Sequence, residues 1–323
     1  MIGLVVMMYV RFPLSLRNVE DLLDNRVEKD RQLPRTRSEL VATSRARLGP
    51  NSLLPADRSI TVSPSTPVHA RVPTQYRGLR DRFELAGIRP VAGQQRHPAL
   101  HRLHEARERV AITFERAAES AAQVVQAMEH KGGKAVAIQG DSADPAAIRR
   151  SVDEAVGALG GLDILVNNAA IARYNTIADF TVEDIDALLA VNVRGPVLAS
   201  QAAIPHLGAG GRIINIGSVG ADRIVGVTGT VYFMTKSALQ SFSRGLAREL
   251  GPRDITVNLV QPGSTNTDMN PEDGEFADYQ RSLMPLGRFN QPEDVAAAVA
   301  FLATPAARQI TGTILNVDGG VLS

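Results

Sequence analysis

The chain lacks cysteine and tryptophan altogether, and aromatic residues make up only 4% of its 323 residues. Without cysteine it can form no disulfide bond, no thiolate metal site and no cysteine nucleophile, which fits the reducing cytoplasm where we expect it to reside. Long hydrophobic runs are missing as well. The opening MIGLVVMMYV is too short to span a bilayer and lacks the basic start and cleavage site of a signal peptide. We therefore expect no membrane anchor and no targeting segment.

A net charge of only +1 hides an uneven distribution of charge along the chain. Residues 1–109 hold 19 Lys and Arg against 11 Asp and Glu, and they contain half of the 18 prolines. The remaining residues hold 16 basic against 23 acidic side chains. A basic stretch rich in proline and serine is typical of a disordered tail or of an arm that binds an acidic partner. We favour the tail, and nucleic-acid binding by a basic fusion is the lesser alternative.

From Val110 onward, short apolar runs alternate with stretches of helical periodicity. The strand-like runs are VAITF, KAVAIQGD, LDILVNNAA, GRIINIGS, ITVNLVQPG and GTILNVDGG. Near-continuous apolar strands separated by helices predict a doubly wound parallel sheet covered on both faces, which is an α/β, Rossmann-like fold. We expect this single domain at residues 86–323, after an irregular and disordered extension over residues 1–85. Ligands of such a sheet bind beyond the carboxyl ends of its strands.

Three polar residues are the strongest candidates for catalysis. Tyr232 and Lys236 stand four residues apart on a predicted helix, so they share a face. A nearby ammonium would stabilise the phenolate and lower the tyrosine pKa from about 10 towards working pH. Tyr232 could then act as a general acid and base for an alcohol–ketone pair. Ser218 follows the strand-like RIINIG and would lie at the carboxyl edge of the sheet, where its hydroxyl could hold a substrate oxygen.

Several motifs in a fixed order carry a family resemblance. They are NNAA from Asn167, VNV around Asn192, IGS ending at Ser218, YFMTK from Tyr232 to Lys236, then QPGSTNTDM and DGG. Residues from about 86 to 323 resemble a short-chain dehydrogenase/reductase of the shorter, single-domain type, similar to 3-oxoacyl-(acyl carrier protein) reductases. The resemblance implies an NAD(P)-dependent oxidoreductase that moves a hydride between a nicotinamide and a carbonyl or secondary alcohol.

The same resemblance implies a role for each catalytic residue. Tyr232 would exchange a proton with the substrate oxygen, and Ser218 would orient and polarise the carbonyl. Lys236 would lower the tyrosine pKa and hold the ribose hydroxyls beside the nicotinamide. Asn192 would kink its helix and hold a water that continues the proton relay; a capping or solvated asparagine is the alternative.

The cofactor residues implied by the resemblance lie at strand ends. Asp141 and Ser142 would meet the adenine, and Asn168 and Ala169 the adenosine ribose. The segment that closes over the carboxamide and phosphates would be formed by Pro262, Gly263 and Thr267. A helix cap at Asp141 and a turn at Pro262–Gly263 are the structural alternatives.

The choice between NADP and NAD depends on the end of the second strand of the family's fold. Family members that select NAD carry an aspartate there, whereas this chain has Phe114 followed by Glu115 and Arg116. Because a guanidinium suits a 2′-phosphate, we prefer NADP, with Arg116 as its partner, and Glu115 keeps NAD open.

The substrate is only weakly encoded in the sequence. Ile171, Ser218 and Val219 would line its pocket, and residues 270–289 would form a mobile lid whose sequence varies between activities. These features favour no particular carbonyl or alcohol. By resemblance we also expect a homo-oligomer, either a dimer or a tetramer.

A glycine-rich phosphate-binding turn is the one family feature that the sequence lacks. Gly93 stands at the family's distance before Asn167, but Gln-Gln-Arg-His-Pro follows it where the family has further glycines. The possible codons, shifted by one base, permit Gly-Ser-Ser-Gly-Ile. We hypothesise that a first βα unit at residues 86–109 is altered because it is translated out of its ancestral frame. A catalytically impaired relative is therefore the second interpretation of the chain.

Two further features of residues 1–109 indicate no additional function. His97, His101 and His104 have spacing that a metal site could use, but no carboxylate partner accompanies them, so we expect no metal. Residues 9–26 resemble the start of insertion-sequence transposases and contain none of the acidic catalytic residues of those enzymes. We interpret them as a relic joined to the frame.

Overall fold

The computed structural model describes residues 3–7, 109–130, 132–224 and 226–323. Within these residues the sheet has the strand order β3-β2-β1-β4-β5-β6-β7, and every neighbouring pair is parallel. The strands are β1 (Gly3–Met7), β2 (Arg109–Phe114), β3 (Lys134–Gln139), β4 (Leu162–Asn167), β5 (Leu207–Ile216), β6 (Thr256–Pro262) and β7 (Ile314–Val317). The predicted doubly wound parallel sheet is confirmed.

Helices connect the strands as the periodicity predicts. They are α1 (Ala118–His130), α2 (Pro145–Leu159), α3 (Val182–Leu189), α4 (Gly195–Ala203), α5 (Thr230–Leu250), α6 (Ala277–Ser282) and α7 (Pro292–Ala303). Helix α2 begins as its sequence dictates, since the Asp144 carboxylate accepts from the Ala146 N–H at 2.9 Å and Pro145 occupies the first turn. It ends at Gly160, whose φ of 74° is a conformation that favours glycine.

Both faces of the sheet are buried, which explains why its strands are apolar without interruption. Alternate residues of β2 point to opposite sides: Val110 and Ile112 pack with α1 and α7, and Ala111 packs with α2, α4 and α5. Leu165, in β4, is fully buried on the second side. Burial on both faces requires this composition, because an apolar side chain contributes roughly 1.5–3 kcal/mol when it leaves water.

Strand β1 is the main difference between the structure and the sequence prediction. We expected residues 1–85 to be irregular, whereas Gly3–Met7 pairs with β2 on one side and with β4 on the other. A central parallel strand needs a short apolar run, and GLVVM supplies one, but a run of this length is ambiguous in sequence. The altered unit at 86–109, with Gly93 and the three histidines, lies outside the described residues except for Arg109. The transposase-like residues 9–26 lie outside them as well.

The register of the sheet brings the ends of the strands to one edge. Met7 pairs with Asn167, Asn167 with Asn215, and Pro262 with Val317. Side chains that follow these positions are therefore neighbours across the carboxyl edge, where ligands of doubly wound sheets bind. No helix of the described residues is long and apolar enough to cross a membrane.

Candidate active site

Ser218 and Tyr232 meet at the carboxyl edge of the sheet. Ser218 lies between β5 and a 3-10 turn at Val219–Ala221, and Tyr232 lies in the first turn of α5. The serine hydroxyl lies close enough to the tyrosine phenol to lower its pKa, and it accepts from the Gly220 N–H at 3.2 Å. Both side chains are half-buried. The pair can present two hydroxyl groups to one substrate oxygen.

The pKa of Tyr232 differs from the sequence prediction. Burial raises the pKa above its ordinary value, the neighbouring Tyr174 phenol adds to the rise, and the Ser218 hydrogen bond opposes it only in part. The expected lowering by Lys236 is wrong for this structure. The ammonium nitrogen lies 5.9 Å from the centre of the tyrosine ring and donates elsewhere, so desolvation of the phenolate dominates. Tyr232 is therefore a protonated phenol at neutral pH.

Lys236 is a buried cation with unused hydrogen-bonding capacity. Its side chain is 3% exposed, and its Nζ donates to the Ile216 carbonyl at 3.0 Å. Burial lowers its pKa to about 8. An ammonium carries three N–H donors, and this carbonyl is its one hydrogen-bond acceptor among the described residues. The remaining donors suit a polyhydroxylated ligand such as a ribose.

Asn192 holds the loop after β4 against α5. It lies in a π-helical turn, Ala190–Arg194, between α3 and α4, and is 1% exposed. Its Oδ1 accepts from the Ile171 N–H at 2.9 Å, and its Nδ2 donates to the Ile171 carbonyl at 2.8 Å and to Thr235 Oγ1 at 3.1 Å. Both amide N–H groups are thus donated to protein oxygens. A relay water would have to bind to a different atom of Asn192.

Direct contacts fix the Ser218 segment against the helix that carries Tyr232. Ser237 Oγ donates to the Ala221 carbonyl at 3.0 Å. Gly220 lies so close to α5 that an added Cβ would be 2.1 Å from the Phe233 ring. The 3-10 turn is therefore packed directly on α5, and this packing determines where Ser218 lies relative to Tyr232.

A network of polar side chains also connects the 3-10 turn after Ser218 to α5, β6 and β7. The Asp222 carboxylate accepts from Gln240 Nε2 at 2.9 Å and from Gln261 Nε2 at 2.7 Å. Gln261 is completely buried, and its amide also bonds to Gln240 at 3.1 Å and to Asn316 at 3.2 Å. The sequence prediction missed this network because no spacing rule connects residues from four separate elements. Its one signal is a glutamine inside an apolar strand, directly before Pro262.

The expected adenosine residues follow β3 and β4. Ser142 is buried, Asn168 is half-buried, and a small cavity is lined in part by Ser142, Ala169 and Val191. Asp141 does not cap α2; its Oδ1 accepts from the Ala143 N–H at 2.7 Å and shapes the turn before the helix. The backbone of this edge is thus ordered by short local hydrogen bonds.

Arg116 lies just beyond the end of β2 with its side chain 80% exposed. Its Nε is 2.9 Å from the Glu115 carboxylate, whose side chain is only 15% exposed. The guanidinium is therefore free to turn towards an anion, although Glu115 competes for it.

The segment after β6 approaches the end of β7 closely. The Gly263 N–H donates to the Val317 carbonyl at 2.8 Å, and an added Cβ at Gly263 would lie 2.8 Å from Asp318 Cα. Thr267 forms an isolated bridge with Asn270 at the start of the expected lid. The segment after β6 is therefore packed tightly against the end of β7 at the carboxyl edge of the sheet.

The predicted substrate-lining residues are largely covered by protein. Ile171 is 8% exposed and packs near Tyr232, and Val219 is 7% exposed and packs against Met284 and Val321. Met284 follows α6, so the expected lid reaches the residue after Ser218. No group of His, Asp or Glu that could hold a metal ion occurs in the described part of the chain.

Residues 99–322, about two thirds of the chain, match the family model of enoyl-(acyl carrier protein) reductase. The chain is 45% identical over 185 residues to the cyclic-di-GMP-binding biofilm dispersal mediator protein of Escherichia coli, covering 57% of this chain and 76% of that one. It is 38% identical over 226 residues to a versicolorin reductase of Emericella nidulans, covering 66% of this chain and 85% of that one. The match begins after the transposase-like residues 9–26, and these comparisons give that resemblance no support.

A crystal structure of a short-chain dehydrogenase from Burkholderia cenocepacia in complex with NADP superimposes with a TM-score of 0.66 at 53% identity. The superposition covers 67% of this chain and 88% of that chain. The family-model match and the superposition therefore lead to the same assignment. The chain belongs to the short-chain dehydrogenase/reductase family of NAD(P)-dependent oxidoreductases.

Proposed function

We propose that this chain reduces a ketone to a secondary alcohol with NADPH, using Tyr232 as the general acid. The proposal rests on the neighbouring Ser218 and Tyr232 side chains, one helical turn from a buried lysine with unused donors. A tyrosine with its ordinary pKa of about 10 is protonated at neutral pH, and burial raises the pKa of Tyr232 further, so the residue is in the form that reduction requires. Oxidation of an alcohol would need the phenolate, which the same burial disfavours.

Each polar side chain of the site has a separate role in the proposed reduction. Ser218 and Tyr232 each donate a hydrogen bond to the carbonyl oxygen, and Tyr232 transfers its proton as negative charge develops there. Lys236, as an ammonium, holds ribose hydroxyls with its unused N–H groups. Asn192 keeps the loop at Ile171 against α5 and so preserves the shape of the site.

The cofactor is NADP in this proposal, and when bound it supplies the hydride that reduces the carbonyl carbon. Lys236 would hold its nicotinamide ribose, Pro262, Gly263 and Thr267 would contact the carboxamide and phosphates, and Arg116 would meet the 2′-phosphate. At the adenosine end, the contacts would come from Asp141, Ser142, Asn168 and Ala169. Support comes from the exposed guanidinium beyond β2 and from the Burkholderia relative crystallised with NADP.

The experiment is a coupled pair of measurements on the full chain. The purified protein is incubated with NADPH and a panel of ketones, and the oxidation of NADPH is followed by absorbance. The alcohol product is identified by mass spectrometry with deuterated cofactor. Ketone-dependent oxidation with one deuterium per alcohol supports the proposal. Failure to bind NADPH, with no turnover of any ketone, would favour the impaired relative.

We further propose that residues 86–323 form the enzymatic domain after the extension 1–85, with β1 as the exception, and that the protein is a cytoplasmic homo-oligomer. Apolar side chains on α3 and α5 support assembly: Val182 is 68% and Met234 is 51% exposed. Light scattering on the full chain tests it, with a dimer or a tetramer expected. Nucleic-acid binding is the lesser alternative, and salt-dependent DNA binding by the full chain would revive it.

A further inference from the structure

Tyr174 rests on the proposed general acid although no family motif contains it. It lies in the loop after β4, and its ring centre is 5.9 Å from that of Tyr232 with the planes inclined by 56°. It also lies against Gly229, where an added Cβ would be 2.8 Å from the Tyr174 ring. Gly229 has a φ of 87°, so both the backbone conformation and the space at this position favour glycine.

Hydrogen bonds and an ion pair fix the residues before and after Tyr174 in the sequence. Three residues earlier, Ile171 is held by the amide of Asn192 through two hydrogen bonds. The preceding Arg173 pairs with Asp184 of α3. The following residue, Asn175, accepts through its carbonyl from the Gly229 N–H at 3.2 Å. The ring is thus held in place by its neighbours and not by its own polar group.

The ring itself is left open to a ligand. Tyr174 is 57% exposed, and its hydroxyl makes no hydrogen bond within the part of the chain that the structure describes. A large apolar ring that is held rigidly, half-exposed and in contact with the proton donor provides a stacking surface where the substrate must lie. Offset or edge-on contact with a second ring is the geometry that aromatic side chains favour.

We propose that Tyr174 is a substrate-binding residue that selects carbonyl compounds conjugated to an aromatic ring over saturated ones. The proposal rests on the ketone reductase function above and specifies its substrate class. A flat ring stacked on Tyr174 places a carbonyl attached to it against Ser218 and Tyr232, whereas a puckered saturated ring makes poorer contact with the same surface.

The test compares two ketones of equal ring size, α-tetralone and α-decalone, with NADPH and the full chain. We expect kcat/KM to favour the aromatic ketone about tenfold in the unmodified protein, which is the scale of one ring–ring contact. Tyr174→Leu should lower this ratio to near one, and Tyr174→Phe should retain it. The matched control is Phe301→Leu, which removes an aromatic ring that is 46% exposed on α7.

The possible results distinguish failure of the role proposed for Tyr174 from failure of the proposed ketone reductase function. If the ratio is unchanged in Tyr174→Leu, or if both ketones lose activity equally, Tyr174 is only a packing residue and the inference is overturned. If the unmodified protein reduces the saturated ketone as well as the aromatic one, the inference fails while the proposed function stands. If neither ketone nor any other carbonyl is reduced, the proposed function fails and the inference falls with it.

Discussion

The two ends of the candidate site are built very differently. Around Ser218, Tyr232 and Lys236, the neighbouring Phe233 and Gln261 are buried, and Lys236 and Ser237 donate to backbone carbonyls at 3.0 Å. At the proposed adenosine end, the Arg116 side chain is 80% exposed and pairs with its neighbour Glu115. The family's phosphate-binding glycines are replaced in sequence beside Gly93, outside the described residues.

The two ends of the site meet different requirements, one for proton transfer and one for cofactor binding. The proton-transferring groups need fixed positions, because small displacements are costly to the reaction rate, and buried hydrogen bonds supply them. The cofactor's phosphates need donors and charge, which exposed arginines and backbone can supply with less precision. The catalytic end should therefore respond to substitutions with large losses of kcat, and the adenosine end with modest changes in cofactor affinity.

The largest effect is expected at Tyr232. Tyr232→Phe removes the proton donor and keeps the ring, so kcat should fall by roughly 10²- to 10⁴-fold while NADPH affinity stays within a factor of about two. Steady-state kinetics and a cofactor titration measure the two quantities. Tyr279→Phe, on the exposed face of α6, is the control. Loss of both kcat and cofactor binding in Tyr232→Phe would indicate a structural role instead.

Lys236→Met should lower kcat and, at the same time, raise the free energy of unfolding. The folded-state pKa of about 8 lies below the ordinary 10.5, so protonated lysine is disfavoured in the folded chain. Between these pH values the unfolded chain binds more protons, and stability therefore rises with pH. The variant should gain about 1–3 kcal/mol at neutral pH, lose this pH dependence and lose kcat about 100-fold.

Urea unfolding of the unmodified chain and of Lys236→Met at several pH values measures the stability effect. A stability gain that does not shrink above pH 8 would contradict the assignment of a buried ammonium.

A smaller effect is expected for the network that supports Ser218. Gln261→Leu leaves the Asp222 carboxylate without one donor and should lower kcat about 3- to 10-fold, with a stability cost of roughly 1–3 kcal/mol. Asn258→Leu is the matched control, because Asn258 is an equally buried amide of β6 that bonds to Ile310 and Thr313. An equal fall in kcat in both variants would show that lost stability, and not positioning, is responsible.

The smallest effect is expected at Arg116. Arg116→Ala should raise KM for NADPH about five-fold and leave KM for NADH unchanged, because only NADPH carries the 2′-phosphate. Arg150→Ala, which removes an exposed arginine of α2, is the control. An equal change for both cofactors would place the 2′-phosphate elsewhere.

Periodicity predicted the strands and helices from Val110 onward except α6, since burial on both faces leaves a strong apolar pattern, whereas α6 lies in residues 270–289, which we expected to form a lid. It did not predict β1, because five apolar residues carry no period that distinguishes a strand from a helix. Motif order located Ser218, Tyr232 and Lys236 at one edge. The pKa of Tyr232 and the contact with Tyr174 depend on burial and on tertiary neighbours, and neither is encoded in local spacing.

The most direct test of NADPH binding by this chain is a fluorescence titration of the full chain with NADPH, with NADH as the competitor. We expect NADPH binding to saturate at micromolar to sub-millimolar concentrations, and NADPH to bind more tightly than NADH. No change at millimolar NADPH would contradict it, because an oxidoreductase site with an intact Ser218–Tyr232 pair must still hold its cofactor to act.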